Sequence, residues 1–242
     1  MIKTIDLTKT YRGKPAVDHL NLSVEKGQIF GFLGPNGAGK TTTVKMLAGV
    51  LKPSKGRIII DGIDMVRNPT AAKRIMGYIP DRPYLYEKLS AAEFLEMISG
   101  LYGLAQNSDV KQRIDHLLNL FELSSWRDEL IESYSHGMRQ RLVMCSALLY
   151  GPKVIVVDEP MVGLDPRGAR LVKEIFSKEA AKGTTIFMST HSLEVAEELC
   201  DQIGIINKGH LIACGTPEQL RAKAGVDGRL EQVFLKLTEE RQ

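Results

Sequence analysis

The chain has 242 residues, of which 43% are hydrophobic and 25% charged, and its formal net charge is +3. That length suffices for one large domain with an inserted lobe and a sizeable buried core. The near balance of 32 basic and 29 acidic residues argues against a surface built to bind the phosphate backbone of nucleic acid. No apolar run approaches the ~18 residues that suggest a membrane-spanning helix. The strongest, RLVMCSALLYGPKVIVV, is interrupted by Ser146, Gly151, Pro152 and Lys153. The start, MIKTIDLTKTYRGK, lacks the apolar core of a secretory signal. Cys145, Cys200 and Cys214 show no metal-ligand spacing. Each is expected to behave as a small buried hydrophobe in a reducing, cytoplasmic setting.

Along the chain, TIDLT and AVDHLNLSVEKG alternate apolar and polar residues and end in a glycine turn, which suits antiparallel strands. QIFGFLG is a compact apolar run that stops at GPNGAGK. TTTVKMLAGVLKP then reads as a helix stopped near Pro53. RIIIDG and IMGYIP are short strands. From Tyr84 to about Tyr150 the pattern turns helical almost throughout. Ser90 and Glu93 form a capping box there, and Val110, Ile114, Leu117, Leu118 and Phe121 recur at helical spacing. KVIVVDEP is a continuous apolar run ending in two acids, the pattern of a strand buried on both faces. Asp165 and Pro166 open the next helix, TTIFMST is a buried strand, and HSLEVAEELC is a helix. QIGIINKGHLIACG reads as a hairpin turning at Asn207 to Gly209, followed by a helix capped by Thr216. Strands alternating with helices predict an α/β fold. It has a mainly parallel sheet, an N-terminal antiparallel β subdomain and an inserted all-helical subdomain.

Two stretches carry the chemistry. Gly34, Pro35, Asn36, Gly37, Ala38, Gly39, Lys40 and Thr41 satisfy the phosphate-loop pattern, with a strand before and a helix after. Glycines let backbone N–H groups curl around a phosphate at a helix N-terminus, where an anion is already favoured. Lys40 is placed to reach the β- and γ-phosphates, and the Thr41 hydroxyl to ligate Mg2+. The second stretch is VIVVDEP. Its Asp158, leaving a buried strand beside the phosphate loop, is positioned to hold Mg2+ through water. Glu159 can polarise a water for in-line attack on the γ-phosphate. In ESYSHGMRQRL, Ser135 stands beside His136, which locally reads either as a nucleophile with its base or as a polar cap on the following helix.

These stretches, in this order over nearly the whole chain, resemble the ATP-binding cassette (ABC) ATPases, specifically the nucleotide-binding subunits of ABC transporters. The resemblance implies a P-loop NTPase core in which Tyr11 stacks on adenine and Thr42 meets the α-phosphate. It places GYIPD at the Q-loop, YSHGMRQRL at the signature, VIVVDEP at the acidic strand end, GLDP with Asp165 at the D-loop, and STH with His191 at the switch histidine. Ser135 and Gly137 would then close on an ATP held by the phosphate loop of a second subunit, and Asp165 would act in trans with them. Two positions depart from the common pattern. Asp81 stands where glutamine is usual, either as an oxygen ligand for Mg2+ or its water shell or as a turn residue ahead of Pro83. His136 and Met138 stand where glycine and glutamine are usual, and are expected to tune the dimer contact without bond breaking.

The implied protein is a Mg2+-dependent ATPase of one domain, 1–242. Its nucleotide-binding lobes are 1–83 and 152–215, its helical insert 84–151 carries the signature, and 216–242 form a short helical extension. It would dimerise, with a second copy or a paralogue, around two ATP molecules. A separate transmembrane permease, an exporter on the signature variant and acidic Q-loop, would hold it at the cytoplasmic face of the membrane. The alternative is a soluble ABC-type ATPase acting on nucleic acid or ribosomes. It fits less well, because no sustained heptads separate phosphate loop and signature, the charge is near neutral, and only one cassette is present.

Overall fold

The computed structural model describes residues 1–105, 107–225 and 228–239. Residues 240–242 of the C-terminal extension, residues 226–227 and Gln106 of the helical insert lie outside it. The first two strands, β1 (Ile2–Tyr11) and β2 (Lys14–Val24), pair antiparallel. After them β3 (Ile29–Leu33) enters the interior with every residue buried. The phosphate loop follows and leads into α1 (Lys40–Leu47). This helix ends well before Pro53, because Ala48 leaves it and Gly49 turns the chain at φ 64. β4 (Lys55–Ile60) and the two-residue β5 (Ile63–Asp64) complete a four-stranded antiparallel sheet in the order β2-β1-β4-β5. A short helix, α2 (Pro69–Arg74), with proline in its first turn, precedes β6 (Met76–Ile79). Neither β5 nor α2 stood out in the sequence, being too short to show a period.

The middle of the chain is helical in three pieces, not throughout. α3 (Ala91–Leu101) starts at the expected Ser90–Glu93 capping box, with both reciprocal bonds made. α4 (Ser108–Leu120) is capped by Asn107. Between it and α5 (His136–Leu148) there are only two one-turn 3-10 segments, Ser124–Trp126 and Ile131–Ser133. Residues 81–89 form no helix. The chain then re-enters the core as β7 (Val154–Asp158), fully buried. Next come α6 (Pro166–Ala181), β8 (Thr185–Thr190), α7 (Leu193–Leu199), β9 (Gln202–Asn207) and β10 (His210–Gly215). α8 (Pro217–Ala224), with its own capping box at Thr216 and Gln219, and α9 (Leu230–Glu239) close the described chain.

The second sheet has six strands in the order β10-β9-β3-β8-β7-β6, all neighbours parallel except the edge pair β9–β10. Its central strands β3, β7 and β8 are buried on both faces, as their unbroken apolar runs require. The edge strand β10 exposes His210 and Cys214, so Cys214, unlike Cys145 and Cys200, is not the buried hydrophobe expected. Alternate residues divide between two cores. Ile155 and Val157 of β7 face the core shared with the helical segment, whereas Val154 and Val156 face the core shared with α1 and the antiparallel sheet. Phe30, Phe32 and Phe187 fill the latter, with the Phe30 and Phe187 rings stacked at 5.5 Å. Each such fully buried side chain is worth about 1.5–3 kcal/mol relative to exposure. This double burial fixes the register of β3, β7 and β8, and so the relative positions of the groups at their C-terminal ends.

Candidate functional site

Because β3, β7 and β8 run parallel, their C-terminal ends open on the same edge of the sheet, where ligands of such sheets bind. The loop after β3 wraps the start of α1. Lys40 is buried, and its Nζ donates to the carbonyls of Gly34 at 2.6 Å and Pro35 at 3.3 Å, across the loop's mouth. Burial lowers its pKa from the ordinary lysine value, while the nearby carboxylates of Glu159 and Asp158 pull the other way. Gly39 sits at φ 111, and a Cβ there would lie 2.5 Å from the Ala16 carbonyl oxygen. Only glycine fits that approach. The loop is braced from behind by the β9–β10 turn, where the Gly209 N–H donates to the Ala38 carbonyl at 2.9 Å.

Across the cleft, β7 and β8 place Asp158 opposite Ser189 in parallel register. Asp158 is buried, and its carboxylate accepts a hydrogen bond from the Ser189 hydroxyl. The Glu159 N–H donates to the Ser189 carbonyl at 3.1 Å. Glu159 itself has φ 50, in the left-handed region. A non-glycine residue held there costs on the order of 1–3 kcal/mol and is a feature that clusters at functional sites. Its carboxylate is mostly covered and lies 2.9 Å from His191 Nδ1, and it also accepts the His191 backbone N–H at 3.3 Å. The histidine ring is largely exposed.

Pro35, Asn36, Gly37, Gly39, Lys40, Thr41 and Thr42 meet Asp81, Glu159 and His191 around one open cleft of about 360 Å3, with Ala16 and Val162 completing its wall. Asp81 therefore faces the phosphate loop although the stretch around it is not helical. Tyr78, on β6 below it, has its pKa pushed up to about 12 by burial and by the carboxylates of Asp158 and Asp81. Gly34 takes part through its carbonyl, and Asp158 lies behind the wall. Tyr11 lines no part of this cleft. It ends the β1 strand, half-exposed, with Lys9 Nζ 5.4 Å from its ring centre.

Ser135, Gly137 and Asp165 also lie outside the cleft. Ser135 caps α5, its hydroxyl accepting the Met138 N–H at 3.3 Å, and Asp165 caps α6 by accepting the Gly168 N–H at 2.8 Å. Ser135 has no buried base beside it, and its neighbour His136 is exposed, so the nucleophile reading of that pair has no support. Ser189 is the site residue that sequence reasoning missed. Its only local signal was a hydroxyl pair, Ser189 and Thr190, ending an otherwise apolar strand.

An ion held here would be shared with a bound anion. Among the described residues no group of three or more His, Cys, Asp or Glu side chains could hold a metal alone. The Thr41 hydroxyl and Asp81 line the cleft and buried Asp158 lies behind its wall, so the oxygens these residues could offer are few and would need others to complete a shell. That suits Mg2+, which usually takes one or two carboxylates plus phosphate oxygens and water.

Comparison with known proteins places this geometry. A family model described as "ABC transporter" matches residues 17–162. The probable multidrug ABC transporter ATP-binding protein YbhF of Escherichia coli is 36% identical over 98% of this chain, which spans only 41% of that protein's length. The bacitracin transport ATP-binding protein BcrA of Bacillus licheniformis is 41% identical, covering 88% of this chain and 68% of its own. A solved ATP-binding subunit of an ABC transporter superposes with a TM-score of 0.92 at 32% identity, over 98% of this chain and 99% of its own. A dimeric, post-hydrolysis ATP-binding cassette, MJ0796, bound to ADP and Pi, gives 0.82 at 25% identity, over 89% of this chain and 98% of its own.

Proposed function

The chain belongs to the ABC transporter ATP-binding family, and from that premise we propose that it binds and hydrolyses ATP as one half of a dimeric motor. The observation that carries this reading is the Glu159–His191 pair facing the Lys40 loop across one cleft. Phosphoryl transfer needs little covalent help from a protein; it needs positioning and charge. Backbone N–H groups of residues 36–41 would hold the β- and γ-phosphates, with the Lys40 ammonium between them. Thr42 would meet the α-phosphate, and Tyr11 would stack on adenine from the side of the antiparallel sheet. Thr41, Asp158 and Asp81 would hold Mg2+, which when bound neutralises charge on the phosphates. The Glu159 carboxylate would orient and deprotonate the attacking water, its own position fixed by His191 and by the backbone bond to Ser189.

Ser135, Gly137 and Asp165 would serve the site of the partner copy. The helix N-terminus at Ser135 offers N–H groups and a dipole to a γ-phosphate, and nothing in its own chain's cleft reaches it. The MJ0796 cassette, which is dimeric with ADP and Pi, supports this arrangement by similarity. No described helix is long and apolar enough to cross a membrane. By similarity to ATP-binding proteins of ABC transporters, coupling to transport would run through a separate permease at the cytoplasmic face. Relatives named for multidrug and bacitracin transport support an exporter.

Phosphate release from ATP tests the catalytic reading. The purified full chain should release phosphate with Mg2+ and not in excess chelator, and Lys40→Ala should reduce this to background. Tight ATP binding by the wild-type chain without any phosphate release would contradict it.

A further inference from the structure

His136 occupies a position that the proposed chemistry does not use, yet it makes a close contact with another functional segment. It opens α5 directly after Ser135, and its ring lies against Gly163. A Cβ built on Gly163 would fall 2.1 Å from His136 Cδ2 and 2.6 Å from Nε2. Beside it, a Cβ on Gly137 would meet the Gly163 carbonyl oxygen at 3.1 Å and Leu164 Cδ2 at 3.6 Å. Gly163 has φ 77, a backbone that favours glycine, and the imidazole lies over the space that a Cβ would take.

Gly163 sits within the short run that joins Glu159 to Asp165. That run consists of two consecutive turns, in which the Val162 N–H donates to the Glu159 carbonyl at 3.2 Å and the Leu164 N–H to the Met161 carbonyl at 3.3 Å. Asp165 then caps α6. Val162 also lines the nucleotide cleft. One end of the run thus touches the chain's own cleft, the other carries Asp165, and its middle lies under the ring of His136. A surface ion pair, Arg167 to Glu122 at 2.6 Å, bridges α6 to the end of α4 nearby. Both partners are exposed, so that pair contributes little; the His136 ring is exposed as well, but it lies directly over the backbone of the run at Gly163.

We propose that His136 is a positioning residue that clamps the Glu159–Asp165 run to the N-terminus of α5, so that the cleft of one copy and the face offered to its partner move as one piece. The clamp rests on the reading of Ser135 and Gly137 as contacts to the partner's ATP. It needs no proton transfer and no change of charge at the imidazole, only a flat ring filling the space over Gly163. A substitution that keeps a ring therefore preserves it, and one that removes the ring frees the run.

Amide hydrogen exchange on the full chain without nucleotide reads the clamp directly, because loosened turns exchange faster. In His136→Ala the Val162 and Leu164 amides should exchange about tenfold faster, whereas His136→Phe should keep wild-type protection. Unchanged protection in His136→Ala, or a loss spread evenly over the chain, would overturn the clamp. In turnover, His136→Ala should lower kcat about three- to tenfold with little change in KM for ATP, and His136→Phe should restore it. A wild-type chain that binds ATP without hydrolysing it would break the ATPase reading instead, and the exchange result alone would then decide the clamp.

Discussion

The two ends of the nucleotide machinery are built differently. The cleft end is assembled inside the chain. Glu159 and His191 directly follow β7 and β8, and Lys40 opens the helix reached by the loop after β3, three fully buried parallel strands whose register is fixed from both faces. The α5 end carries Ser135 and Gly137 at a helix N-terminus that shares no wall with that cleft. Ser135 caps its own helix and is exposed, and Gly137 lies against Gly163 and Leu164. On the proposed reading, the cleft and the α5 end would be two halves of a shared active site, with each copy supplying the half the other lacks.

That contrast can be broken by asymmetric damage. Glu159→Gln removes the base from the finished half and should cut hydrolysis by about 10²- to 10⁴-fold while ATP still binds; phosphate release and equilibrium binding measure the two separately. Ser135→Ala removes one donor from the outward half. It should lower turnover by about 10- to 100-fold, the worth of a charge-assisted hydrogen bond, and leave ATP affinity of the separate chain unchanged. Equal loss of affinity in both variants would erase the distinction between the halves. Ser189→Ala removes the hydroxyl that orients Asp158, and steady-state kinetics should give a fall of about tenfold in kcat, as for groups that act by holding a ligand in place.

The smallest effect concerns pH. Burial lowers the Lys40 pKa, with Glu159 and Asp158 opposing. A depressed lysine loses its charge earlier as pH rises. ATP affinity measured by titration should therefore be flat through neutral pH and weaken on the alkaline side before an ordinary lysine would titrate. Removing an opposing carboxylate, as in Glu159→Gln, should move that weakening to lower pH.

Much of this was legible in the sequence, for a physical reason. Phosphate loops must be glycine-rich and must follow a strand, and a buried strand must be apolar until it surfaces, so GPNGAGKT and VIVVDEP show themselves locally. Caps are local too, which is why Ser90, Asp165 and Thr216 are all found capping as expected. The rest depended on distant neighbours. Ser189 matters because β8 lies in register beside β7, and no local pattern encodes that pairing. His136 matters because tertiary packing sets it on Gly163. The non-helical stretch before α3 was hidden for the opposite reason, since Tyr84, Leu85 and Tyr86 are consecutive and so carry no period that separates them from the helices that follow.

The central proposal is that each active site is completed by a second ATP-binding chain, a role that a second copy can fill. The most direct measurement is the solution mass of Glu159→Gln with saturating Mg2+ and ATP, by light scattering after gel filtration. The account predicts twice the mass of one chain with ATP, the mass of one chain with ADP, and a weakened dimer when Ser135→Ala is added. A Glu159→Gln chain that is saturated with ATP and still has the mass of one copy would contradict it.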